Sequence, residues 1–249
     1  ELLNRQYFHY DFHNLPGRSL PKYGAWHGKK TLPSASKDEN AIGRDIPEGY
    51  SIMLLNPITK KPKLDDYTLV IDLMIDSFPE DKKHGIRLLS TSSPSKSSQV
   101  YIQADGTVGF SSRKSSDVRE IKDSAKVKAG SWHRVVVVVN GSNTKATSYV
   151  DGKKSASKTS HVITKDSPYS LPGKPERFCI FPFGPGSQKI KRNLYGVRVI
   201  TRCLSDKEVQ NMVTLKEHIE ATTDSNFQDA VNALFHVLQP DPEKTELKL

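Results

Sequence analysis

Gly130-Ser131-Trp132-His133-Arg134-Val135-Val136-Val137-Val138-Val139-Asn140-Gly141 is the stretch on which the fold turns. Five consecutive valines restrict χ1 and favour extended backbone, and a block this short bounded by turn residues reads as a buried strand rather than a helix. The block stops at Asn140-Gly141-Ser142-Asn143. Ala146 to Val150 then returns and runs into Asp151-Gly152-Lys153, so the centre of the chain is a hairpin followed by another tight turn.

The same grammar extends in both directions. Leu69-Val70-Ile71-Asp72-Leu73-Met74-Ile75 is a second buried strand, and Gln99 to Gln103, Ala104-Asp105-Gly106 and Thr107 to Phe110 form a second hairpin around an Asp-Gly turn. Tyr7 to Phe12, Gly85 to Ser90, Phe178 to Phe181 and Leu194 to Ile200 are further strand candidates. Turn signals recur every roughly 8 to 15 residues with little helical periodicity before residue 204, which favours an antiparallel sandwich over alternating strands and helices. The expected fold is therefore all-β, a two-sheet antiparallel sandwich of jelly-roll type over residues 1–204. Residues 13–50 have no clear period and read as a long covering loop.

The tail changes character. Ser205 with Glu208 three residues on is a capping box, and Leu204 and Val209 occupy the positions of a hydrophobic staple. Val209, Met212, Val213 and Ile219 mark the apolar side of a first helix. Phe227, Val231, Leu234, Phe235 and Leu238 mark a second, which Pro240 stops. A two-helix appendage packed on the sandwich is expected over 205–240, with 241–249 as a linker or tail.

Gly130-Ser131-Trp132-His133-Arg134-Val135 followed by Tyr149-Val150-Asp151-Gly152-Lys153 resembles the G-x-W-H-x-V and Y-V-D-G-K strand pair of laminin G-like domains of the concanavalin A-like jelly-roll superfamily. Tyr67 to Leu73 resembles that family's upstream strand. Leu194 to Ile200, with Arg202-Cys203-Leu204-Ser205-Asp206-Lys207-Glu208-Val209, resembles its closing strand and short helix. The likeness covers roughly residues 7 to 210. It implies the sandwich fold, with Trp132 packed into it. It also implies relatives of two kinds: thrombospondin N-terminal-like matrix modules that bind heparin, and neurobeachin-type intracellular scaffolds. Fold alone does not choose between them.

Catalytic chemistry has a thin basis. A glycoside hydrolase needs an acid and a nucleophile flanking the scissile bond, and the nearest pair is Asp72 and Asp76, on one side of a strand with no Glu beside them. Asp72 is better explained by solvent or a cross-strand hydrogen bond, and the chain is expected not to be an enzyme. In Phe8-His9-Tyr10-Asp11-Phe12-His13 a period of two puts His9, Asp11 and His13 on one face, a weak metal candidate that an edge strand with one wet face explains equally. The resemblance alone makes Ca²⁺ conceivable, through Asp105 and Asp151, but both are Asp-Gly turn residues. Cys179 and Cys203 either form a bridge or remain free thiols. Asn140-Gly141-Ser142 is the only glycosylation sequon and lies in an exposed turn.

Charge is the more informative signal. The formal net charge is +9, and residues 151–200 hold ten Lys and Arg against Asp151, Asp166 and Glu176, a local balance of +7. Lys153-Lys154 follows one turn and Lys189-Ile190-Lys191-Arg192 follows Phe183-Gly184-Pro185-Gly186, so both clusters are expected on loops where long cationic side chains reach a polyanion. Nucleic acid is disfavoured because no stacking aromatics accompany the charge. No apolar run approaches the roughly 20 residues that span a bilayer, and Glu1-Leu2-Leu3-Asn4, without Met or a signal-peptide pattern, reads as the start of a piece of a longer chain.

Two functions follow. One is a non-catalytic module that binds an acidic glycan or glycoprotein through Lys153, Lys154, Lys189, Lys191 and Arg192, an extracellular role by family resemblance. The other is an intracellular protein-interaction or architectural domain that docks on neighbouring domains of a large protein.

Overall fold

The computed structural model describes residues 7–12, 24–28, 43–46, 50–55, 63–79, 85–91, 100–110, 119–120, 124–159, 163, 168–172, 177–182 and 190–212. The chain divides into two compact units, Glu1–Met212 and Val213–Leu249. The second unit lies outside the described residues, and with it the second expected helix and the tail 241–249.

Two antiparallel sheets build the first unit. The larger contains β1 (Tyr7–Asp11), β3 (Arg44–Ile46), β6 (Asp66–Ile75), β10 (Arg119–Glu120), β11 (Trp132–Asn140), β12 (Lys145–Val150), β13 (Lys153–Thr159) and β16 (Arg192–Ile200). Its order is β1-β16-β6-β11-β12-β13-β10, with β3 continuing the β1 edge of β16. The smaller sheet contains β2 (Gly24–Gly28), β4 (Tyr50–Leu55), β7 (Ile86–Ser90), β8 (Val100–Ile102), β9 (Val108–Gly109) and β15 (Arg177–Ile180), in the order β2-β4-β15-β7-β8-β9. A two-stranded ribbon joins β5 (Lys63–Leu64) to β14 (Leu171–Pro172). The expected strands are present. Residues 13–50, expected as a loop, hold β2 and β3, short edge strands whose evidence is backbone pairing with β4 and β16 rather than any apolar period.

Pleat explains the core. In β6, Leu69, Ile71, Leu73 and Ile75 face the smaller sheet, and in β11 Val135, Val137 and Val139 do the same, meeting Ile52, Leu54, Leu88, Ile102, Phe178 and Ile180. The alternate residues Val70, Val136 and Val138 lie on the outer side and are also buried. Both faces of β11 are thus covered, which is why its sequence is a continuous valine run instead of an alternating one.

The cover over part of the outer side is α1 (Asp206–Gln210). Ser205 Oγ accepts from the Glu208 amide, and the Glu208 carboxylate accepts from the Ser205 amide, closing the capping box. Leu204, Val209 and Met212 pack with Val70, Val136, Val138, Tyr149 and Ile200 in a second small core. The first compact unit runs through Met212.

Candidate functional site

One end of the larger sheet collects most of the residues singled out by charge. There β6 and β12 finish, and β11, β13 and β16 begin. The Asp151-Gly152 turn that joins β12 to β13 has φ of 48° and 78°, the left-handed pair that a tight hairpin requires. Backbone bonds tie the approach to β11 across this end: the Ala125 amide donates to Lys154 O (2.9 Å) and the Gly130 amide to Ile75 O (2.8 Å). Asp76 N donates to Lys191 O (3.2 Å), fixing the start of β16 beside the end of β6.

His133 pins the same corner. Its Nε2 accepts the Lys128 amide (2.9 Å), so Nδ1 carries the proton and donates to Asp151 Oδ2 (2.7 Å). Asp151 Oδ1 accepts the Arg134 amide (2.9 Å). Asp151 is thereby a turn carboxylate, and Asp105 is another. Burial works to raise the Asp105 carboxyl, but Lys126 and the Thr107 amide and hydroxyl outweigh it and hold it below its ordinary value.

The five expected binding cations part company. Lys153 and Lys191 are exposed. Lys154 is half-buried and ion-paired to Asp206 (2.5 Å), so it fastens α1 to the sheet. Lys189 lies outside the described residues.

Arg192 corrects the expectation: it is only 2% exposed and is not a loop residue. It shares the parity of Leu194 and enters the space between the sheets, donating to Tyr50 O (3.1 Å) with its guanidinium 5.3 Å from the centre of the Phe181 ring. Burial pulls it down to about 10 against the opposing charge of Asp45. Lys128, not singled out by the sequence, is exposed at this end. Four strand spacings of about 4.8 Å, about 19 Å in all, separate β13 from β16, and the register sets Lys153 level with Val197, about six residues along β16 from Lys191, with the Lys128 segment passing between their strands.

The outer side next to this end carries a charged cluster that the sequence reading did not assemble. Asp72 (1% exposed) accepts from Arg134 Nε (2.7 Å) and Nη2 (2.8 Å), and Arg198 Nη2 lies 3.6 Å from its Oδ2. Burial pushes the Asp72 carboxyl up, but the Arg134 charge and hydrogen bonds, then Arg198 and His9, overcome it and hold it below the ordinary carboxylate value. A glycosidase pair needs one carboxyl held protonated. Asp72 is buried and bonded through both oxygens to Arg134, so its carboxylate is closed to a substrate, while Asp76 is exposed beside Asn193. The signal in the sequence was three charges, Asp72, Arg134 and Arg198, each set in an otherwise apolar strand.

Trp132 also departs from expectation. Val135, Val137 and Val139 fill the inward positions of β11, so Trp132 turns to the outer side, half-buried and edge-on to Tyr195 (6.3 Å, 79°). Of the metal candidate, His9 sits beside Arg198 in register and adds to the positive field around Asp72. The Asp11 side chain and His13 are outside the description. Among the described residues, no three His, Cys, Asp or Glu side chains gather at metal-binding range. Cys179 and Cys203 are free thiols with the larger sheet between them, Cys203 donating to Val139 O (3.2 Å) under α1. Among the described residues, no helix is long and apolar enough to cross a membrane.

Residues 55–210 match the laminin G family model described as the Concanavalin A-like lectin/glucanases superfamily, and the chain belongs to that superfamily. No curated protein matches the sequence. Among solved structures, domain 4 of AbnA, a GH43 extracellular arabinanase from Geobacillus stearothermophilus in complex with arabinotriose, is similar. It aligns with a TM-score of 0.52 at 16% identity, covering 82% of this chain and 95% of that one. Trypanosoma rangeli sialidase aligns with a TM-score of 0.50 at 12% identity, covering 82% of this chain and 32% of that one. The CBM40 of Ruminococcus gnavus IT-sialidase, bound to α2,3 sialyllactose, aligns with a TM-score of 0.43 at 18% identity, covering 68% and 94%. At these identities the likeness to the arabinanase domain and to the sialidase is one of fold.

Proposed function

We propose that the domain is a non-catalytic glycan-binding module that takes an acidic glycan at the end of the larger sheet. One observation carries the reading: Lys128, Lys153 and Lys191 stand exposed along a single end of that sheet, on backbone that three cross-strand hydrogen bonds hold in place. Ammonium groups on an ordered edge make charge-assisted hydrogen bonds to sulfate or carboxylate oxygens, and binding of this kind weakens steeply as salt shortens the Debye length. Membership of a lectin-containing superfamily supports a sugar as the ligand class.

Retention on heparin resin tests it. Lys128→Glu, Lys153→Glu and Lys191→Glu each elute earlier than Lys145→Glu, which makes the same charge change at the opposite end of β12. Elution of all four at the same salt concentration removes the reading.

A second reading, a protein-interaction domain of a longer chain, is favoured by the two free thiols. It expects docking of a neighbouring domain with no retention on acidic glycans, and a native disulfide found by mass spectrometry counts against it.

A further inference from the structure

The end of the sheet opposite the lysines carries the sequon Asn140-Gly141-Ser142, the only one in the chain. It forms the tip of the β11–β12 hairpin, where Asn140 is half-buried and Ser142 and Asn143 are exposed. Asn140 Oδ1 accepts the Asn143 amide (2.9 Å) and so caps the turn. Its Nδ2 makes no hydrogen bond to any described residue.

This division of labour within one carboxamide matters, because N-linked modification consumes a hydrogen on Nδ2 and leaves Oδ1 an acceptor. The rest of the turn is held by groups that such a modification does not touch. Ser142 Oγ donates to Asp66 Oδ2 (2.7 Å), Ser142 N to Asp66 Oδ1 (3.2 Å) and Gly141 N to Asp65 O (3.1 Å). A Cβ at the middle position would come 3.0 Å from Asp65 O, a tight contact that only a shift of that backbone would relieve, so the glycine lets the turn lie close against Asp65.

We infer that Asn140 is an N-glycan acceptor. Nδ2 attacks the anomeric carbon of a lipid pyrophosphate-linked oligosaccharide. The N–C bond forms, the C–O bond to pyrophosphate breaks, Nδ2 loses one proton and the lipid pyrophosphate departs. Along β11, Asn140 lies eight residues, about 27 Å, from Trp132 and five residues, about 17 Å, from Val135, which is level with Lys153, so the glycan sits at the far end of the strand from the lysines. The inference does not rest on the glycan-binding reading, and either stands if the other falls.

The full chain is produced behind a cleavable secretory leader in cells that perform N-glycosylation, and both medium and cell fractions are digested with peptide N-glycosidase. The expected result is one glycan lost from the intact mass, with deamidation mapped to residue 140 and no modification in Asn140→Gln or Ser142→Ala. Unmodified mass in both fractions, or a glycan that persists in Asn140→Gln, overturns the assignment. Heparin retention equal within twofold with and without the glycan is expected. Its abolition by the glycan overturns the placement at the far end.

Discussion

Asp72→Asn removes one negative charge from a site where nothing else can replace it. Asp72 and Arg134 are 1% and 2% exposed, and both guanidinium nitrogens facing the carboxylate lie within 2.8 Å of it. The amide keeps the shape but cannot neutralise Arg134, and Arg198 adds a second cation at 3.6 Å from the same oxygen. Breaking a buried pair by removing one partner costs about 3 to 5 kcal/mol, a large part of a total stability of about 5 to 15 kcal/mol. For a domain of this size that lowers Tm by roughly 6 to 20 °C.

Urea unfolding followed by circular dichroism at pH 7 measures it. The double variant Asp72→Leu/Arg134→Met, in which the pair leaves together, is expected to recover most of the loss. The acid limb gives a second check. Because the folded Asp72 carboxyl is held below its ordinary value, its contribution is fully present above a pH of about 4 and is lost as pH falls through the lower native pKa. The gap between wild type and Asp72→Asn therefore narrows in that range. A loss under about 1 kcal/mol at pH 7, or a gap that does not narrow in acid, refutes the argument.

Glu208→Ala opens the capping box and its bond to Arg202, and about 1 kcal/mol of helix stability goes with it, read as faster hydrogen exchange at the Val209 amide. The Arg202 bond and then the Ser205 bonds pull the Glu208 carboxyl down to about 2, so in wild type the protection of that amide relative to its intrinsic exchange rate falls as pH drops from about 4.3 toward 2. Gly106→Ala and Gly130→Ala both force a side chain to positive φ, at about 1 to 2 kcal/mol each, but the added Cβ at 106 collides with the Val127 carbonyl while at 130 it meets open space. Thermal melts are expected to show the larger loss at 106, and equal losses contradict the packing described there. Burial pushes the Cys179 thiol up to about 12 and the Cys203 thiol up to about 11, so neither reacts with a thiolate-selective reagent at pH 7 in the folded protein and both react in denaturant. Rapid labelling of either in the native state contradicts this.

Much of the sandwich was legible because its strands are bounded by Asp-Gly and Asn-Gly turns and because Leu69–Ile75 and Val135–Val139 carry little but strand-forming side chains. The helix start was legible for the same kind of reason, a local hydrogen-bond exchange between Ser205 and Glu208. What escaped were features decided across strands. Gly24–Gly28 and Arg44–Ile46 are strands by virtue of what they pair with, which no local pattern carries. Arg192 looked like one of five basic loop residues, but a shift of one position along β16 decides between solvent and the interior, and its parity with Leu194 sends it inside. Trp132 illustrates the same rule in reverse. Its place in the laminin G-like motif implied the core, and its even position in β11 places it outside. At the site, the sequence located the charged end through Lys153 and Lys191. It could not show that Lys154 is committed to Asp206, or that Lys128 joins them from a segment more than twenty residues upstream.

The second small core sets a rule for anyone cutting this domain out of its gene. A fragment that stops at Ile200, where the last strand ends, would present Val70, Val136, Val138, Tyr149 and Ile200 to water as one continuous oily face on an otherwise finished sheet. Such a fragment would self-associate. Twelve further residues, to Met212, supply the lid and its Lys154 and Arg202 fastenings, so the practical minimum is set by one turn of helix that contributes nothing to either sheet.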